Sequence, residues 1–362
     1  MSKKPYSILL IATQQIGDVL LATPLLRSLR VAYPAATIDI LVYKGKSGIL
    51  EGNTDYNNVI ESDDHPNITG YWVLLKRIFR KYDLAVNTQA NDRAYQYAFI
   101  AAKKRVGMIS SLKRKSLWKR AICTDWRLLD DTNTHTILQN LELAECLNIN
   151  KEYQVTVPNN AAAEGELNKI ITFDWKNDRF VVLHLLPMWR YKRWTDNGWE
   201  ALAEYLISQN IMIVLSGGSA PEEVNYCEKF SNRFPSHVVS VAGKVSFGIL
   251  SKLLSHASAY IGPDTATTHL AAACGTPTIA LYGPTNPIKW GPWPKGYAIN
   301  KSPWLKSAPY QQVGNVSMLQ GLGECVPCHR AGCDNHNNSE SRCMNELPAY
   351  RVIAVLKTVL SN

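Results

Sequence analysis

The chain has 362 residues, 46% hydrophobic and 19% charged, with a net charge of +9. This is an ordinary globular composition with material for about two domains of ~150 residues each. No apolar run reaches the about 18 residues that a membrane-spanning helix needs.

The start, Met1-Ser2-Lys3-Lys4 and then Ser7 to Ala12, superficially resembles a leader peptide. The apolar run is too short, and Gln14-Gln15-Ile16-Gly17-Asp18 stands where small cleavage residues belong. Ile8 to Ala12 is therefore expected to be the first strand, and the protein cytoplasmic. Val19 to Ala32 reads as a helix that Pro24 kinks or restarts. A strand from Thr37 to Tyr43, a helix from Trp72 to Lys81, a short strand from Leu84 to Asn87 and a helix from Arg93 to Ala102 follow. Thr134-His135-Thr136 introduces an amphipathic helix from Ile137 to Leu147. The composition then shifts at Val155 to Gly165, where Pro158, an Asn pair and an Ala run suggest a linker.

A second alternating series starts at Phe180. Its expected strands are Phe180 to Leu185, Ile211 to Leu215, Val238 to Val241, Ala257 to Ile261 and Thr278 to Tyr282. The helices between them are Gly198 to Gln209, Pro221 to Phe230 and Phe247 to His256. Residues 284–345 read as irregular, and Leu347 to Leu360 as a last helix. Strand–helix alternation in both halves implies two mononucleotide-type parallel sheets covered by helices. The expected division is residues 1–160, residues 175–345, and a terminal helix over 346–362, with a cleft between the two domains.

Residues 1–160 carry 21 basic against 15 acidic side chains, and residues 161–362 carry 18 against 15. The densest basic stretch runs from Lys103 to Arg120 without an acid, including Lys103, Lys104, Arg105, Lys113, Arg114, Lys115, Lys119 and Arg120. It is either a solvated face or a meeting point for nucleic acid, anionic lipid or a phosphorylated substrate.

The most informative segment is 261–287. Asp264 is expected to cap a helix whose first turns crowd Thr265, Ala266, Thr267, Thr268 and His269 after Gly262-Pro263. Gly275 and Pro277 end that helix. Unpaired N–H groups and the positive end of the dipole make such a helix start a seat for an anion, above all a phosphate. The plain alternative is a well-capped helix in an α/β domain. Lys192, in Met188-Trp189-Arg190-Tyr191-Lys192-Arg193-Trp194, follows the first strand of the second half and is placed to neutralise a diphosphate. Ser216-Gly217-Gly218 and Gly283-Pro284-Thr285 are further strand-end loops that let a backbone approach a ligand. Asp18 follows the first strand directly, as either a helix-start acid or a general base. No G-x-G-x-x-G follows that strand, which disfavours a nicotinamide site. Cys325, Cys328, Cys333 and Cys343 have metal-like spacing but match no standard zinc ribbon, so reduced thiols are expected and a structural zinc is the alternative.

Taken together these segments resemble glycosyltransferase family 9, the ADP-heptose:lipopolysaccharide heptosyltransferases. The resemblance is carried by Gln15 to Pro24, Arg105-Val106-Gly107, the His135 to Leu143 helix, Lys192-Arg193-Trp194, Asp264-Thr265 through Gly283-Pro284-Thr285, and the late Cys-Val-Pro-Cys stretch. The Lys192-Arg193-Trp194 and cysteine features lean toward the subtypes that add the second or third heptose.

The resemblance implies a GT-B fold of two Rossmann-like domains. It implies an inverting transfer of heptose from ADP-heptose to a lipid A-core acceptor, with no cofactor required. Asp18 matches the family's catalytic base and Lys192 a donor-phosphate contact. Asp264, Thr265, Ala266, Thr267 and His269 match its donor loop, with Thr268, Gly217, Gly218, Pro284 and Thr285 expected in the same pocket. Ala266 stands where the family usually has Gly, which bears on donor choice; the alternative is the same fold using another nucleotide sugar or a non-lipopolysaccharide acceptor. Lys103, Arg105, Lys113, Arg114 and Lys115 would face the acceptor's phosphates or an anionic membrane leaflet, giving peripheral contact. No Asp-x-Asp stands in a strand-end loop, so the sequence requires no catalytic metal. A metal- or nucleic-acid-binding module is the remote alternative. Its basic run lacks interleaved aromatics apart from Trp118, and no nucleic-acid partner is expected.

Overall fold

The computed structural model describes residues 6–361; Met1-Ser2-Lys3-Lys4 lie outside the described residues. The chain divides into two compact units, Met1–Thr156 with Ala298–Lys301, and Val157–Tyr297 with Ser302–Asn362.

The first unit runs β1 (Ser7–Ile11), α1 (Ile16–Leu21), α2 (Thr23–Ala32), β2 (Thr37–Tyr43), β3 (Asn58–Ser62), α3 (Ile68–Ile78) and β4 (Tyr82–Asn87). It continues with α4 (Asp92–Ala101), β5 (Ala102–Ile109), α5 (Leu117–Ile122), β6 (Asp125–Leu128) and α6 (Thr136–Cys146). The strands lie in the order β3-β2-β1-β4-β5-β6, every neighbour parallel. Ile8 through Ile11 are fully buried, because helices cover both faces of a parallel sheet and its strands become continuous apolar runs. Pro24 lies in the first turn of α2, where its missing N–H costs nothing, so it restarts the helix instead of breaking it. Gly107 is required by packing. A Cβ there would fall 2.8 Å from the Tyr95 hydroxyl, which donates to the Met108 carbonyl at 2.7 Å.

The second unit runs α7 (Ala163–Ile170), β7 (Phe180–His184), α8 (Asp196–Ser208), β8 (Met212–Ser216), α9 (Pro221–Arg233), β9 (Val238–Ser240) and α10 (Phe247–Leu254). It continues with β10 (Ala259–Pro263), α11 (Ala266–Cys274), β11 (Thr278–Tyr282), α12 (Pro287–Trp290), β12 (Tyr310–Val313), β13 (Val316–Gln320), α13 (Arg342–Asn345) and α14 (Ala349–Ser361). Its sheet order is β12-β13-β11-β10-β7-β8-β9. Read from β9, six parallel strands repeat the order of the first unit, with β12 added antiparallel at the edge. Gly275 ends α11 at φ 89°, the left-handed position that favours glycine. The terminal helix is not a separate piece: Val352 and Leu356 of α14 are buried in the same core as Trp199 and Leu202 of α8.

Four expectations need correction. The basic stretch hides a strand: β5 begins at Ala102 and carries Lys103, Lys104 and Arg105. Residues 284–345, expected to be irregular, contain the β12/β13 hairpin. Strands β3 and β6 were not anticipated. Part of the stretch expected to be a linker belongs to α7. Among the described residues no helix is long and apolar enough to cross a membrane.

Candidate active site

In an open parallel sheet, ligands bind beyond the carboxyl ends of the strands at the point where strand order reverses. In the second unit that point lies between β7 and β10. The segment after β7 closes one 3-10 turn at Arg190–Lys192, and Asp264 directly follows β10. The Lys192 ammonium lies 2.6 Å from Asp264 Oδ2. The other carboxylate oxygen accepts from the Tyr282 hydroxyl at 3.3 Å and lies 3.8 Å from His269 Nε2. Thr285, beyond β11, also hydrogen-bonds this carboxylate.

Asp264 is 7% exposed and His269 5%. Burial by itself would raise the Asp264 carboxyl. The Lys192 charge, then the electrostatic interaction with His269 and the hydrogen bonds from Lys192 and Thr285, outweigh it and hold the group below its ordinary range, so it stays ionised. Burial pushes His269 down to about 4, against the pull of Asp264. The imidazole is therefore neutral near pH 7, and its Nδ1 has no hydrogen-bond partner among the described residues.

Asp264 does not cap α11, contrary to the sequence expectation. Thr265 occupies the cap position and makes no side-chain capping bond. The carboxylate is spoken for by Lys192, so the first N–H groups of a nine-residue helix keep no side-chain cap. Thr268 is also corrected. It is fully buried, donates to the Pro263 carbonyl and pairs with the Tyr260 hydroxyl at 2.9 Å. It braces the strand-to-helix turn and leaves no hydroxyl for a ligand. Thr267 is buried, while Thr265 and Ala266 are half-buried.

Gly217 and Gly218 follow β8. A Cβ on either would press on Glu223, at 3.2 and 2.8 Å respectively. These glycines make room for a carboxylate that burial raises and the Gly218 N–H partly restores. His184, ending β7, sets Nδ1 3.1 Å from the Ser216 carbonyl, and burial lowers it to about 4. Its Nε2 lies 4.0 Å from Glu223 Oε1. The sequence pattern singles out neither His184 nor Glu223; the one signal was a polar residue ending an apolar strand beside a Gly-Gly loop.

In the first unit the order reverses between β1 and β4. Asp18, in the first turn of α1, stands beyond β1, half-buried, with Oδ2 accepting from the Gln15 N–H at 3.2 Å. Lys113, Arg114 and Lys115 are exposed after β5, at the same sheet edge as Asp18. Lys103 and Arg105 do not join them. Lys103 lies at the start of β5, on the opposite edge. The Arg105 guanidinium donates to the Ile122 and Ala102 carbonyls, each at 2.5 Å, and covers the Phe99 ring. Lys119 is also withdrawn from the basic face: it is 5% exposed, donates to the Ala90 carbonyl at 2.6 Å and lies 2.6 Å from Asp92 Oδ1.

Cys325, Cys328, Cys333 and Cys343 line one pocket with Pro284 and Glu346, and all are free thiols. Burial, then the other three sulfurs, pushes Cys343 up to about 11. Among the described residues no three His, Cys, Asp or Glu side chains are arranged to hold a metal ion.

Residues 71–317 match the profile of glycosyltransferase family 9 (heptosyltransferase). The chain belongs to this family. It is a glycosyltransferase of the GT-B fold class, the fold of the heptosyltransferase structures it is similar to. It is 27% identical over 286 residues to lipopolysaccharide heptosyltransferase 3 of Escherichia coli, covering 76% of this chain and 83% of that protein. Among solved structures it is similar to a family 9 glycosyltransferase of Veillonella parvula, with TM-score 0.77, 20% identity and coverage of 100% and 99% of the two chains. It is also similar to the E. coli heptosyltransferase WaaC with ADP, with TM-score 0.70, 19% identity and coverage of 98% and 99%. Lys192 and Asp264 lie inside the residues matched to the family and Asp18 outside them. Family membership decides against a nucleic-acid module.

Proposed function

We infer that this family 9 glycosyltransferase moves heptose from ADP-heptose to the core oligosaccharide of a lipid A-linked acceptor, with inversion and without a metal ion. The observation that carries the donor assignment is the Lys192–Asp264 pair at the switch point of the second unit, directly ahead of a helix start without a side-chain cap. A diphosphate needs positive charge and N–H donors fixed in place before it departs. Lys192 supplies the charge, and the first turn of α11 supplies the donors and dipole. Asp264 positions Lys192 by holding its ammonium. Neutral His269 has a ring nitrogen to offer, and Glu223 and His184 form a second polar corner at the ends of β7 and β8. The relatives point the same way: one is named a lipopolysaccharide heptosyltransferase, and one structure holds ADP.

Asp18 is proposed as the general base. Its carboxylate takes the proton of the acceptor hydroxyl as that oxygen attacks the anomeric carbon of the heptose. The bond from that carbon to the diphosphate oxygen breaks on the opposite face, and ADP leaves with the electron pair. One displacement inverts the configuration. Lys113, Arg114 and Lys115 are proposed to meet the acceptor's phosphates, since they share the sheet edge of Asp18.

A donor panel tests this reading. ADP-heptose, ADP-glucose, UDP-glucose and UDP-N-acetylglucosamine are offered with a heptose-bearing core acceptor, with and without EDTA. Transfer from ADP-heptose alone, unaffected by EDTA and giving the inverted anomer by NMR, is expected. Turnover only with a uridine donor would overturn the donor assignment, and loss with EDTA the metal-free one. The other nucleotide-sugar reading rests on Ala266: a methyl at the first position of α11 narrows the approach to the helix start.

A further inference from the structure

Helix α3 is apolar on both faces. Leu74, Leu75 and Ile78 are buried against the first unit's sheet. The outward side carries Ile68 at 79%, Trp72 at 57% and Val73 at 61% exposure, and Phe79 follows at 61%. A helix that packs one face on a sheet ordinarily shows water a polar stripe on the other. Apart from Thr69 near its start, the exposed residues of the helix that are not apolar are cationic: Lys76 and Arg77 are exposed on the helix, and Arg80 and Lys81 follow it. Residues 65–82 contain no Asp or Glu. Large apolar side chains including a Trp, interleaved with basic residues and no acids, match an anionic bilayer surface, where rings enter the headgroup layer and ammonium or guanidinium groups meet phosphates.

We propose that the outward face of α3, centred on Trp72, Val73, Lys76 and Arg77, docks the protein on an anionic lipid bilayer. The proposal builds on the reading that the acceptor is lipid-borne, which gives a chain whose described residues include no membrane-spanning helix a reason to sit at the bilayer. Charge selects this occupant: Lys76 and Arg77 at the end of the helix and Arg80 and Lys81 just after it, with no acid in the chain from 65 to 82, repel a second copy of the same face but are drawn to phosphodiester headgroups.

The test is co-sedimentation of the full chain with phosphatidylcholine vesicles and with vesicles of phosphatidylcholine mixed with phosphatidylglycerol. The protein is expected to bind the mixed vesicles, to release on raising salt, and to leave phosphatidylcholine alone. Trp72→Glu with Val73→Glu, and separately Lys76→Glu with Arg77→Glu, are expected to weaken partitioning by about tenfold or more. Both pairs are exposed, so melting temperature and turnover on a deacylated, water-soluble acceptor are expected to stay at the wild-type values. Equal binding by wild type and both variants would overturn the proposal. So would a wild-type dimer in sedimentation velocity that Trp72→Glu dissociates, because the face would then belong to a second copy. Transfer to an acylated acceptor without vesicle binding rejects the docking face and keeps the enzyme reading. Vesicle binding by a chain that transfers no heptose keeps the face and rejects that reading.

Discussion

Asp264 is a carboxylate kept charged where burial alone would neutralise it, and Lys192 does most to keep it so. The two partners are unequal. Lys192 keeps 19% of its side-chain surface exposed and Asp264 8%, so a lone lysine can turn to water and a lone aspartate cannot. Lys192→Met is therefore expected to cost about 3–5 kcal/mol, the penalty for stranding a buried charge, and Asp264→Asn clearly less. Urea unfolding of the two variants checks the order; equal losses would refute it. Two buried histidines set the acid side of the stability curve. His184 and His269 are each lowered to about 4, while an unfolded histidine binds its proton near 6.5. Between those values the unfolded chain holds more protons, so stability is present above about 6.5 and falls as pH drops toward 4, by up to about 1.4 kcal/mol per pH unit for each histidine. Asp264, with a depressed carboxyl, loses its contribution only below the ordinary carboxylate range. Urea midpoints at neutral and at mildly acidic pH measure this slope; a flat profile would contradict it.

At the scale of elements, packing rather than propensity places several motif residues. Gly107 leaves room for the Tyr95 ring between α4 and β5, and Gly107→Ala is expected to destabilise by about 1–3 kcal/mol through overpacking. Tyr95→Phe should remove the Met108 hydrogen bond at a smaller loss, about 1 kcal/mol. Thermal melts of both variants give the comparison. The strands legible from sequence are β1, β2, β4, β7, β8, β10 and β11, with β9 at a sheet edge, each of them a mostly apolar run. Strand β5 was hidden because Lys103, Lys104 and Arg105 open it, and charge at an exposed strand end looks the same as a charged loop. The β12/β13 hairpin lies in a Gly- and Pro-rich stretch whose pairing is tertiary and leaves little local pattern. Asp264 could be picked out because it is polar directly beyond an apolar strand, and Lys192 because it lies in a cationic loop after one. That they pair with each other could not, since 72 residues separate them in the chain, and the local pattern around Asp264 reads as a cap. His184 and Glu223 were missed because a strand-ending His and a first-turn Glu look ordinary until the fold brings them together.

For the whole molecule, two units share one strand order, and each offers a reversal point beyond its strands. The second unit fills its point with a cation and a helix start, and the first fills its own with Asp18. This separation makes ligand binding and turnover independently breakable. ADP at about 100 times its Kd should stabilise the protein by about 2.7 kcal/mol, seen as a raised Tm, and Lys192→Ala should largely remove that increment. An unchanged increment in Lys192→Ala would move the diphosphate elsewhere.

The most direct test of the account is turnover of Asp18→Asn with ADP-heptose and a core acceptor, measured beside its affinity for ADP. The expected result is a fall in kcat of about a hundredfold to ten-thousandfold, the usual worth of a general base, with ADP affinity within about twofold of wild type because the proposed diphosphate seat belongs to the other unit. Wild-type turnover in Asp18→Asn would contradict the assignment, and so would an ADP affinity that falls in step with the rate.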